Sequence, residues 1–212
     1  MKQKYSTDMS PSERAALWRQ RLFEAEAGLT RYLTETRGGR DIDDWISVRS
    51  EIFHELPTQD AESASPEAWQ RVFFRAQALM ERFLVSRYGH GELAAWARAG
   101  AEVHRWVEPE HGHGALDPVL RIARQAELYG SRYRILADGP ERAALEISHC
   151  AIWDYRKKAE ARGVPLTLAS PCEYCVHATG SNIAAKGFTA RHELDDGPEG
   201  PGCTWEATQC AE

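Results

Sequence analysis

Apolar residues over the first 130 positions recur three and four apart, whereas those beyond them alternate, so the chain reads as helices followed by a smaller mixed region. In SPSERAALWRQRLFEAEAGLTRYLTETRGG, Leu17, Trp18, Leu22, Phe23, Leu29, Tyr32 and Leu33 form a broad stripe. Ser10 suits the cap of this helix, Pro11 its first position and Glu13 a capping box; Gly38 and Gly39 stop it. A second helix is expected over 41–56, ended by Pro57, and a third from Ser65-Pro66-Glu67 up to Gly89. A fourth covers 92–107 and, after the loop EPEHGHGALDP, a fifth covers 119–130. Their Trp and Phe residues recur at helical spacing and read as core.

After Gly130 the pattern changes to alternation. SRYRILADG reads as a strand, DGPE as a turn and AALEISHCAI as its partner strand, followed by a helix in WDYRKKAEARG closed by Gly163. GFTARHELDDG and CTWEATQ read as a second hairpin joined by DDGPEGPG, with Asp195 and Asp196 in the turn. The expected fold class is α+β. A helical part, residues 1–130, packs on a small antiparallel sheet with helices, residues 131–212.

Composition narrows the function. A net charge of −6 and a pI near 5.8 argue against a nucleic-acid surface, because such surfaces are basic. No run is long and apolar enough to span a bilayer, and the N-terminal stretch lacks a signal-peptide core. A cytoplasmic protein without membrane or nucleic-acid partners is expected, and a homo-oligomer is compatible with the sequence. In that compartment an odd number of cysteines, five, reads as thiols or ligands rather than disulfides.

Four of those cysteines fall between Ser170 and Cys210. Cys172 and Cys175 have Cys-x-x-Cys spacing behind Ser170-Pro171, a helix start that turns both thiols one way and favours the thiolate. Buried filler is the competing explanation, since cysteine is among the most buried residue types. A zinc site needs four ligands: Cys172, Cys175 and Cys203 with either His149 or Cys150 would supply them. Cys210, seven residues from Cys203, would face the other side of a strand. His149 and Cys150 stand at a strand end, where neighbouring side chains point opposite ways. His177 would point away from the thiols, and the His111/His113 pair reads as a solvated loop. Asp154 and Glu173 lie near the candidate pocket, and Glu173 could orient a thiol.

Taken together, HCAIWDYRKKAEARGVP, SPCEYC and GFTARHELDDGPEGPGCTWEAT, which ends in Cys-x-aromatic, resemble the L-2-amino-thiazoline-4-carboxylic acid hydrolase-like family. The resemblance covers the C-terminal part. Cys172 matches the family's central cysteine and Cys203 the one that opens the last strand, while Cys175 stands where many members have aspartate. The end-strand pattern is also similar to the 4-vinyl-reductase-type domain, which binds small molecules. The resemblance implies hydrolysis of a cyclic amidine-like C–N or C–S bond, with a small-molecule substrate and no cofactor. Cys172 would attack, Cys175 or His149 would relay protons, with Cys203 beside them, and Arg191, Glu173 and Cys150 would line the substrate. The alternatives are a catalytic or structural zinc on Cys172, Cys175, Cys203 and His149, and a sensor that binds a small ligand without turnover.

Overall fold

Helix α1 (Pro11–Arg31) begins at its capping signals. The Ser10 hydroxyl accepts from the Glu13 amide at 3.3 Å, and the Glu13 carboxylate accepts from the Ser10 amide at 2.7 Å. Two amides of the opening turn are thereby satisfied. The chain is described here by a computed structural model that covers residues 5, 8–57, 65–198 and 200–210. Helix α1 does not run unbroken to the glycines. Tyr32–Thr36 form one π-helical turn that keeps both Tyr32 and Leu33 buried. The Tyr32 hydroxyl donates to Glu92 at 2.8 Å and accepts from Arg37 Nε at 2.7 Å, so its burial leaves no polar atom unmatched.

Two compact units divide the chain. The helical unit, Asp8–His104 with Leu166–Ala169, holds α1, α2 (Ile42–His54), α3 (Pro66–Tyr88) and most of α4 (Leu93–Val107). Its core is aromatic, with Trp18 against Phe73 and Phe74 and Trp45 against Phe83. Trp18, Trp45, Trp69 and Trp96 are buried, whereas Trp106 near the end of α4 is 82% exposed. Helices α1 and α4 meet at two glycines. A Cβ on Gly28 would lie 2.8 Å from the Gly100 Cα. Gly28→Ala is therefore expected to destabilise this unit by about 1–3 kcal/mol, the usual cost of overpacking, measured as a lower midpoint in urea.

The sheet unit, Met1–Thr7, Arg105–Pro165 and Ser170–Glu212, holds α5 (Leu116–Tyr129) and four antiparallel strands. These are β1 (Arg132–Asp138), β2 (Arg142–His149), β3 (Phe188–Gly197) and β4 (Gly200–Gln209), in the order β1-β2-β4-β3. Helix α6 (Ala151–Ala161) follows β2, and α7 (Cys172–Ala185) precedes β3. With seven α-helices and a four-strand antiparallel sheet among the described residues, the fold class is α+β. Among the same residues no helix is long and apolar enough to cross a membrane.

Three expectations need correction. The division does not fall at Gly130: Leu116, Val119, Ile122 and Ala123 of α5 share one core with Ala143, Leu145, Trp205 and Ala207 of the sheet, so the boundary lies at 104/105. The strand expected over 143–152 stops at His149. There the Cys150 amide donates to the Pro201 carbonyl at 2.9 Å and the Ala151 amide to Ser131 Oγ at 3.0 Å, which lets α6 start at once. Asp195 and Asp196 lie inside β3, paired with Gly202 and Pro201, because the hairpin register runs on to Gly197 opposite Gly200. Glu199 of that connection and most of the N-terminal stretch lie outside the described residues.

Candidate functional site

Four cysteines from three stretches of the sheet unit, Cys150, Cys172, Cys175 and Cys203, lie near enough for their sulfurs to act on one another electrostatically, although among the described residues no three of the sulfurs lie within 4.8 Å of one another. Cys172 and Cys175 occupy the first turn of α7, which is set up by local bonds. Pro171 has φ −62°, Ser170 Oγ accepts from the Cys172 amide at 3.0 Å, and the Glu173 carboxylate accepts from the Ser170 amide at 2.9 Å. Cys203 is placed by strand alternation. It lies opposite Ile147 of β2, two residues before Trp205 and four before Ala207, and packs against the same core as those two residues. Cys150 is no longer in the strand but caps α6, with its backbone still extended.

All four of these cysteines are partly buried, and charge on one or more of the other sulfurs disfavours the thiolates of Cys150, Cys175 and Cys203. Burial is the main cause that pushes the Cys175 and Cys203 thiols up to about 12, and it raises Cys150 as well. Other groups act the opposite way, favouring charge on sulfur. The amides of Ile152 and Trp153 do so at Cys150, the Trp205 side chain at Cys203, and Thr179, whose Oγ1 lies 3.7 Å from the sulfur, at Cys175. Arg121 of α5 also favours the Cys175 thiolate. Without a cation the Cys150, Cys175 and Cys203 thiols stay protonated at neutral pH. With one, their ionisation is compensated by ligation.

The remaining candidates are distributed around this cluster. His149 Nε2 lies 2.8 Å from Asp154 Oδ2 of α6, so the histidine beside Cys150 is oriented by a carboxylate. Glu173 uses its carboxylate on the Ser170 amide, which makes it a cap of α7 rather than a substrate contact. Arg191 does not join the site. Its cross-strand partner is Glu206, whereas Cys203 faces Leu194, and that odd offset puts Arg191 on the opposite face of the sheet, exposed. Cys210 is exposed at the other end of β4 with its thiol bonded to the Gly187 carbonyl, and His177 is exposed on α7. The exposed His111 and His113 give their amides to Asp117, which ties their loop to the start of α5. Arg121 was not anticipated. Only the packing of α5 on the sheet reveals it, since its neighbours in sequence carry no cysteine.

No family model and no curated protein matches the chain. Among solved structures, a crystal structure of an Fe(II) unliganded H-NOX protein from K. algicida is similar over 88% of this chain and 97% of that one. The identity is 7% and the TM-score 0.39.

Proposed function

We propose that the chain is a metal-binding protein whose sheet unit holds the metal through the thiolates of Cys150, Cys172, Cys175 and Cys203. The observation that carries this reading is the convergence of four of the five cysteines from the β2–α6 junction, the α7 start and β4. A set of four thiols is a complete ligand shell for a soft or borderline metal. Donors directed at three of the sulfurs are the outer partners that such ligands use. His149, held by Asp154, stands next to one of the ligands and is an outer group of the site.

A second reading is the cysteine hydrolase of the family resemblance. One feature favours it: Cys172 is the first residue of α7, where helix amides can receive a developing negative charge. In that reading Cys172 adds to the C=N carbon of a thiazoline-like ring, and water resolves the adduct.

One experiment separates the two. The full chain is purified without chelator under anaerobic conditions and weighed by native and denaturing mass spectrometry, with iodoacetamide labelling in parallel. Under the metal reading a mass increment is lost on denaturation, and only Cys210 labels quickly in the native state. A metal-free chain in which Cys172 labels fast sinks the metal reading and leaves the hydrolase for substrate tests.

A further inference from the structure

We infer that the loop between α4 and α5 carries a metal site of its own, in which the imidazoles of His111 and His113 bind a divalent first-row transition ion. All its residues belong to the sheet unit, and it stands whether or not the thiols bind metal.

The loop is held at both ends and in the middle, so its histidines are placed before any ion arrives. At its start the buried Lys186 side chain donates to the Glu108 carbonyl at 2.9 Å. At its end the Ala115 amide donates to the Pro140 carbonyl at 2.7 Å. Gly114 precedes it at φ +65°, where a Cβ would stand 2.3 Å from that same oxygen. Between the two ends, Asp117 Oδ2 accepts from the amides of His111 and His113 at 3.2 Å each.

Those amide bonds would close the loop whatever side chains stood at 111 and 113. The imidazoles add something that a loop closure does not need. His113 Nδ1 lies 2.9 Å from Asp117 Oδ1. A carboxylate only accepts, so Nδ1 carries the hydrogen and Nε2 keeps its lone pair for a ligand. Metal-bound histidines are oriented by a carboxylate in this way. The Asp117 side chain is 13% exposed and that of His113 53%, so the orienting group lies inside and the imidazole faces solvent.

His111 supplies the second nitrogen. Its ring centre is 6.2 Å from that of His113, with the planes tilted by 36°. An ion bonded to one nitrogen of each ring at about 2.0–2.1 Å sets the ring centres about 5–6 Å apart. A small rotation of the exposed His111 side chain closes the difference. Asp117 stays an outer partner: among the described residues, its carboxylate and the two imidazoles do not all lie within 4.8 Å of one another. Water completes the coordination. Imidazoles select zinc, nickel or copper over calcium and magnesium, which take oxygen ligands.

The test is a zinc titration of the whole chain, followed through the imidazole nitrogens by NMR, in the wild type and in Cys203→Ser. Of the eight histidines, His111 and His113 should shift first and together, with the change at Nε2 of His113. Both shifts should persist in Cys203→Ser, and that of His113 should vanish in His111→Ala. An asparagine oxygen still accepts from the two amides, so Asp117→Asn keeps the loop closed. Its NH2 group then faces His113 Nδ1 and moves the ring hydrogen to Nε2, and zinc should bind about 10–100-fold more weakly. Shifts spread evenly over the exposed histidines would mark adventitious binding and overturn the site. A response of His111 and His113 that disappears in Cys203→Ser would assign it to the thiols and overturn the site as well. No shift of either ring at millimolar zinc would do the same, and would leave the thiol centre untouched.

Discussion

Alanine in place of Cys175 is expected to empty the metal centre while leaving the metal-free sheet unit folded. Loss of an outer partner of a ligand costs about 10–100-fold in metal affinity, so loss of a ligand itself should exceed about 100-fold. The metal-free chain should tolerate the change because Cys175 is a partly buried thiol that a methyl group replaces with little strain. The pH dependence gives an independent check with opposite signs in the two states. Burial holds the Cys175 and Cys203 thiols up to about 12, above an ordinary value of 9.0. A raised folded pKa contributes stability that is complete below the unfolded value and is lost as pH climbs through the folded one. Metal-free protein should therefore weaken between pH 9.0 and about 12, less steeply in Cys175→Ala. Metal-loaded protein should weaken on acidification instead, as its thiolates are reprotonated. Thermal melts across a pH series, with and without metal, read both limbs. Metal retained by Cys175→Ala at wild-type affinity would remove this residue from the ligand set.

How much of this was legible in the sequence depends on how local the deciding bond is. The starts of α1 and α3 were legible because a serine, a proline and the following turn decide them, as the Ser10 and Ser65 hydroxyl bonds show. The start of α7 was legible for the same reason. The end of β2 was not. It is decided by the Cys150 amide reaching Pro201, a contact made by a strand that enters the chain some fifty residues later. That one bond ends β2 at His149 and leaves Cys150 as the cap of α6. Arg191 failed for the opposite reason. Its residue type suits a carboxylate, but register decides its face, and register is set by the whole β3–β4 hairpin. Arg121 carried no sequence signal because only the docking of α5 on the sheet brings it to the thiols.

Valine in place of Gly202 should damage fold and metal centre together, and that distinguishes it from every ligand substitution. Gly202 immediately precedes Cys203, and a Cβ there would stand 2.3 Å from the Ile147 carbonyl oxygen. No side-chain rotation relieves a clash between a Cβ and a backbone oxygen, so β2 and β4 must separate where Ile147 pairs with Cys203. Overpacking of this kind costs about 1–3 kcal/mol and occasionally more. Because the displaced residue pair includes a ligand, metal affinity should fall as well. The metal-free chain should also melt earlier, which Cys175→Ala does not cause. Gly28→Ala supplies the control: its clash with Gly100 lies in the helical unit, so it should lower stability and leave the metal content unchanged. Metal titration and thermal melts on the three variants give three different pairs of outcomes. If Gly202→Val kept full metal affinity despite a lower melting point, Cys203 would not be held by the β2–β4 pairing in the way described, and its place among the ligands would have to be given up.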